Sequence, residues 1–271
     1  MRKISIINQK GGSGKTTTSV NLAAGLADAG KKVLVLDLDP QASTTSWLGY
    51  PQDSQSLLEV FTTNLGIEKT IIKTKIPGID LIPGSTWLIG LEKKLSQEVG
   101  AETILKHKFK SIDSSKYDYL LIDCPPALSL LTINALNAVT EVMVPVETRI
   151  MALQGLVQLL QTIDIIKQRL NNDLNLSGIL ACRVDIRTKH SKEVVAELRK
   201  NFGPLVYKTV IRENIRLSEA PSFAQSILDY SAESSGAQDY RALARELISQ
   251  EIIISGPIAK KNSGKARSIN T

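Results

Sequence analysis

Eleven residues constrain this chain more than any others: Asn8-Gln9-Lys10-Gly11-Gly12-Ser13-Gly14-Lys15-Thr16-Thr17-Thr18. They stand between a β-branched run, Lys3–Asn8, and a stretch of helical period, Lys15–Ala29. Glycines at this density let successive backbone N–H groups turn toward one point, and an anion is what such a point binds. The start of the following helix adds unpaired N–H groups and the positive end of its dipole. In a strand–loop–helix context the pattern reads as a phosphate loop, with Lys15 reaching β- and γ-phosphates and the Thr16 hydroxyl ligating Mg²⁺. The common form G-x-x-x-x-G-K-[ST] is not met, because Gln9 occupies the first glycine position; a second lysine, Lys10, lies five residues before Lys15.

The rest of the chain repeats the alternation. Further strands are expected at Val33–Asp37, Ile79–Ile82, Tyr119–Asp123, Glu141–Pro145, Leu176–Arg183 and Leu205–Ile211. Helices are expected at Thr86–Glu98, Leu128–Ala138, Met151–Asn171, Lys192–Asn201 and Gly236–Ile253. Several strands carry polar residues only at their ends, as in parallel sheets covered on both faces. The fold class that follows is α/β: a doubly wound, mostly parallel sheet with helices on both faces. Residues 1–255 read as one domain and 256–271 as a flexible basic tail. Lys260, Lys261, Lys265 and Arg267 in that tail supply four of the six net positive charges. A basic balance suits an anionic partner without specifying one. Cys124 and Cys182 belong to no C-x-x-C pair and read as reduced core residues. No apolar run is long enough for a signal peptide or membrane span, so a cytoplasmic protein with no membrane partner is expected.

Two further strand ends carry chemistry. Val33–Asp37 runs into Leu38-Asp39-Pro40-Gln41 and delivers two carboxylates at the carboxyl edge of the sheet, where ligands of open α/β sheets bind. Asp37 and Asp39 share a face by alternation, and a strand-ending Asx turn is the structural alternative. Tyr119–Asp123 ends in an aspartate placed to hold a Mg²⁺ shell, with Pro125 and Pro126 stiffening the next loop.

The run K-G-G-x-G-K-T-T resembles the deviant Walker A motif of the ParA/MinD/nitrogenase-iron-protein group of P-loop NTPases. Val210–Ser222 is similar to the I-P-R-N-V-R-L-S-E-A-P-S run of chromosomal ParA/Soj proteins. It departs from that pattern at Arg212 and Glu213, where Pro and Arg are common, and keeps Asn214. The resemblance covers residues 2 to about 250. It implies a slow, partner-stimulated ATPase that binds ATP through Lys10, Gly11, Gly12, Ser13, Gly14, Lys15, Thr16, Thr17 and Asn214. It also implies Mg²⁺ held near Thr16, Asp39 and Asp123, and catalysis by Lys10, Lys15 and Asp39. In the family Lys10 would cross an ATP-sandwich homodimer to the partner's nucleotide, and Asp39 would orient the attacking water.

The same resemblance implies sequence-blind binding of double-stranded DNA through Arg187 and Arg216, a nucleoid-associated location, and a ParB-type centromere-binding partner. Lys189, Lys192, Arg199 and Lys200 could extend the basic patch, with a solvated charged helix face as the alternative. The polar tail differs from the membrane helix of a MinD-like regulator. The two cysteines are not placed to hold a cluster between subunits. A loop starting at residue 8 leaves no expected room for an N-terminal helix-turn-helix. An ATPase that positions a protein cargo and, more distantly, a MinD-like membrane-associated regulator or an ATP-driven metal-cluster or cofactor carrier share the chemistry and remain open.

Overall fold

A computed structural model describes residues 1–54, 56–95, 97–148 and 152–255. Along the chain the elements are β1 (Arg2–Ile6), α1 (Lys15–Asp28), β2 (Val33–Asp37), α2 (Ser43–Trp47), α3 (Ser56–Thr62), β3 (Ile72–Lys73), β4 (Ile79–Ile82), α4 (Leu91–Leu95) and α5 (Ile104–Lys108). They continue with β5 (Tyr119–Asp123), α6 (Leu130–Ala138), β6 (Glu141–Glu147), α7 (Ala152–Arg169), β7 (Asn175–Cys182), α8 (Lys189–Phe202), α9 (Ile215–Glu219), α10 (Ile227–Tyr230) and α11 (Ser235–Ser255). The seven strands form one sheet in the order β3-β4-β2-β5-β1-β6-β7. All neighbours are parallel except the β3–β4 pair.

Alternation along each strand divides the core into two layers. Leu34, Leu36, Leu120 and Ile122 face α3, α5, α6 and α7, whereas Val33, Val35, Tyr119 and Leu121 face α1 and α11. Both layers are closed to water, which is why β2 and β5 consist of apolar residues until their final aspartates. On the second layer α1 and α11 approach closely at Gly25, where an added Cβ would lie 2.8 Å from the Tyr240 carbonyl oxygen. Among the described residues no helix is long and apolar enough to cross a membrane.

The expected strand Leu205–Ile211 does not form. Gly203–Leu205 is a 3₁₀ turn, and the chain beyond it meets β7 and its extension only through isolated bridges at Val206 and Arg212. The cause is tertiary: the Glu246 carboxylate takes the Lys208 and Thr209 N–H groups at 2.7 and 2.9 Å, and Asp239 takes the Arg212 N–H at 2.9 Å. Those donors are therefore lost to a ladder. The helix expected over Thr86–Glu98 is broken into a 3₁₀ turn at Thr86–Leu88 and the short α4, because Gly90 adopts φ +83° between them. Met151 and the tail 256–271 lie outside the described residues.

Candidate functional site

The loop after β1 is shaped by its own side chains. Asn8 donates its amide to the Pro145 carbonyl at 2.7 Å and accepts the Lys10 N–H at 2.9 Å, an Asx turn that pulls the chain off the sheet. Gly12 and Gly14 sit at φ +72° and +95°, the left-handed region that disfavours any Cβ. No atom lies within 4 Å of a Cβ built on Gly12, so conformation rather than space requires glycine there. Gly14 caps α1 with no side-chain hydrogen bond, and the first turn of α1 contains no acidic residue. The helix start thus leaves its N–H groups for an external anion. Lys15 beneath the loop is 7% exposed.

Three carboxylates converge on the loop from strand ends. Asp37 and Asp123 stand side by side in the β2–β5 register, and both are fully buried. Asp37 Oδ2 accepts the Thr45 N–H at 2.8 Å and the Thr45 hydroxyl at 2.7 Å. Asp123 Oδ2 accepts the hydroxyls of Thr16 and Thr44, each at 2.8 Å. Burial first, then repulsion from Asp123, raises the Asp37 pKa above the ordinary carboxylate value, against the pull of the Thr45 bonds. Burial likewise raises that of Asp123, opposed by the Thr44 and Thr16 hydroxyls and by the charge of Lys15. The third carboxylate, Glu147, ends β6 at 6% exposure; its Oε2 lies 3.0 Å from Lys10 Nζ and its Oε1 3.1 Å from Arg183 Nη1.

Asp123 Oδ1 is buried with no hydrogen-bond partner. Such an orphan costs free energy unless something absent from the chain satisfies it. Among the described residues no three His, Cys, Asp or Glu side chains gather as a metal cage. That is the donor set Mg²⁺ tolerates: one hydroxyl, a carboxylate reached through water, and phosphate oxygens. Thr16 and Asp123 fit this role. Asp39 is 8% exposed; its Oδ1 accepts the Gln41 N–H at 2.9 Å, and its own N–H reaches Asp37 Oδ1 at 3.3 Å. The side chain therefore makes the Asx turn at the mouth of the site.

Beside the loop lies a cleft of about 1010 Å³, walled by Gly12 and Gly14 to Thr17, by Cys182 to Arg187 after β7, and by Ile211 to Ile215. Asn214 borders it but is occupied as the cap of α9, accepting the Arg216 N–H at 2.9 Å and donating to Ser235 Oγ at 2.8 Å. Arg212 is turned to Asp239, 2.7 Å away, at the start of α11. Arg187 forms a two-point pair with Asp185 at 3.0 and 3.1 Å, and Arg216 pairs with Glu219 at 2.9 Å; both arginines are exposed. Lys189 pairs with Glu193 one turn along α8.

Thr44, Thr45, Glu147 and Arg183 join the site without having been expected. Glu147 obeys the rule that exposes Asp37 and Asp123, a carboxylate ending an apolar strand. It was missed because Pro145 reads as a strand end. Pro145 is tolerated within β6 because the β1 ladder stops at Met143.

A glycine loop opening a buried helix, with strand-terminal aspartates beside it on a parallel sheet, defines a P-loop NTPase of the deviant Walker A type. The AAA domain family model AAA_31 matches residues 1–176. The sporulation initiation inhibitor protein Soj of Bacillus subtilis is 44% identical over 246 residues, spanning 90% of this chain and 97% of that one. The chromosome partitioning protein ParA of Caulobacter vibrioides is 40% identical over 254 residues, 93% of this chain and 95% of its own. Among solved structures, cobyrinic acid a,c-diamide synthase from Mycobacterium smegmatis, with bound ATP analogue and magnesium, superposes with a TM-score of 0.81 at 33% identity, covering 94% and 97% of the two chains. The chain belongs to the ParA/Soj family of chromosome-partitioning ATPases.

Proposed function

We propose that this chain hydrolyses ATP to ADP and phosphate and that its ATP-bound form is a homodimer that grips DNA without regard to sequence, driving partition of a chromosome or plasmid. The observation that carries the reading is the unequal placement of two lysines on one loop. Lys15 is buried beneath the helix start, whereas the Lys10 side chain is 46% exposed and extends to Glu147. Lys15 stays with its own nucleotide, and Lys10 exchanges Glu147 for the partner's nucleotide. Mg²⁺ held near Thr16 and Asp123 would neutralise charge on the phosphoryl oxygens. Asp39 orients the attacking water from the mouth of the site, while the Gly11 to Gly14 backbone and the start of α1 fix the phosphates. Arg187 and Arg216 supply phosphate contacts to DNA, and two such patches in one dimer bind far more tightly than either alone. Hydrolysis ends the bridging and releases the dimer, at a slow rate that a ParB-type DNA-bound partner raises.

DNA co-sedimentation without nucleotide, with ADP, with ATP and with a slowly hydrolysed analogue tests the reading. Wild-type protein should pellet with DNA in the ATP and analogue states, and Lys10→Ala in none. Equal pelleting in every state, or an ATP-dependent Lys10→Ala dimer, would refute it.

A further inference from the structure

We propose that Arg183 is a positioning residue that makes Lys10 available: it holds the Glu147 carboxylate so that Lys10 can leave it. This rests on the reading above, in which Lys10 departs for a partner's nucleotide. In the single chain Lys10 is not loose. Its ammonium lies 3.0 Å from one oxygen of a carboxylate that is 6% exposed, and a carboxylate in that setting holds a cation strongly unless a second cation shares it.

Arg183 supplies such a second cation. Its Nη1 lies 3.1 Å from the other Glu147 oxygen, and its Nη2 lies 3.6 Å from Glu213 across the cleft mouth. The two cations thus take different oxygens of one group, and the departure of Lys10 leaves the Arg183 pairing intact. The backbone points the same way. Arg183 follows β7 immediately and adopts φ +53°, a left-handed conformation costly for any residue with a Cβ. Its neighbourhood secures that turn: Thr148 Oγ1 donates to the Arg183 carbonyl at 3.3 Å, and Val184 N–H donates to the Ile211 carbonyl at 3.0 Å. Because Glu147 and Cys182 are opposite one another in the β6–β7 register, the turn after Cys182 brings the Arg183 guanidinium back over the end of β6. Strained backbone held in place at a site, with the side chain aimed at a buried charge, is the pattern of a residue kept for position.

The test measures the monomer–dimer equilibrium of the full chain by sedimentation velocity in Mg-ATP, for wild type, Arg183→Met, Arg183→Gly, Glu147→Gln and the Arg183→Met/Glu147→Gln pair. Removing the guanidinium should tighten the hold of Glu147 on Lys10 and weaken dimerisation by about tenfold or more. Arg183→Gly relieves the left-handed strain yet should lose as much as Arg183→Met, which separates the guanidinium from the backbone. Neutralising Glu147 in the double variant should restore dimerisation to within about threefold of wild type, a rescue that poorer packing would not give. Wild-type dimerisation by either Arg183 variant, or no rescue in the double, overturns the role of Arg183 and leaves the dimer reading standing. A wild-type chain that stays monomeric in saturating Mg-ATP overturns both.

Discussion

Replacing Gly84 by alanine would drive a methyl group into the buried carboxylate pair. Gly84 follows β4 and meets the end of β2: a Cβ built on it lies 2.7 Å from Asp37 Cγ, 2.8 Å from the Asp37 carbonyl oxygen and 3.0 Å from Asp37 Oδ2. Non-bonded carbon atoms rest at about 3.5–4.0 Å, so the overlap approaches 1 Å. Neither neighbour can yield cheaply. The carbonyl belongs to a central strand, and the carboxylate is tied to Thr45, whose hydroxyl also accepts the Gly84 N–H at 2.8 Å. Overpacking of this kind costs about 1–3 kcal/mol. For a chain of this size each kcal/mol lowers Tm by about 2–4 °C, so Gly84→Ala should melt about 2–12 °C below wild type. Gly155→Ala supplies the opposite sign, since among the described residues no atom beyond its own helix backbone and chain neighbours lies within 4 Å of a Cβ built on it, and it sits within α7. There the gain in helix propensity should raise stability by about 0.5–1 kcal/mol. Differential scanning calorimetry of the nucleotide-free proteins reads both. A Gly84→Ala variant melting within about 1 °C of wild type would show that β4 and the Asp37 carboxylate do not press together as the geometry requires.

Two further outcomes follow from the same geometry. Asp37 and Asp123 have pKa values raised in the folded protein, so the protonated forms stabilise the fold; that contribution is complete below the ordinary value of 3.8 and is lost as pH rises through the raised values. Nucleotide-free wild type should therefore lose more Tm between about pH 5.5 and 8.5 than Asp37→Asn, and equal losses would remove the carboxylate repulsion as a cause. Arg216→Ala should weaken DNA binding alike for unrelated sequences and lower the slope of log affinity against log salt by about one for each phosphate no longer neutralised; an unchanged slope would place Arg216 off the DNA.

Legibility followed burial. β2 and β5 lie where their residues suggested because buried parallel strands admit nothing polar until their ends; β4 does too, although it buries Asp80, which accepts from Lys73 Nζ at 2.8 Å and the Tyr117 hydroxyl at 2.6 Å. β1 ends two residues early, and beyond it the Asn8 side chain fastens the loop to the Pro145 carbonyl. The false strand at Leu205–Ile211 has suitable side chains, and its Tyr207 and Ile211 N–H groups still reach β7, but the Lys208 and Thr209 N–H groups between them are claimed by Glu246 from a helix more than 25 residues away. Periodicity cannot see such a claim. The loop and Asp123 were legible because phosphate and Mg²⁺ restrict spacing along the chain. Thr44 and Thr45 were not, since only the fold brings α2 against the two aspartates.

Burial also separates the roles of the two lysines. Lys15 and Lys10 sit on one loop and differ little in sequence context, yet each has its own anion. The charge of Lys15 acts on Asp123 in the interior, whereas Lys10 meets Glu147 at the rim. A lysine at 7% exposure cannot move without opening a cavity and stranding a charge, while one whose side chain is 46% exposed needs only to trade one anion for another. On the proposed reading the loop carries one fixed cation and one transferable cation. Which is which is set by the sheet: β5 ends beneath the loop and β6 beside it, so the carboxylate of β5 meets the buried lysine and that of β6 meets the half-exposed one.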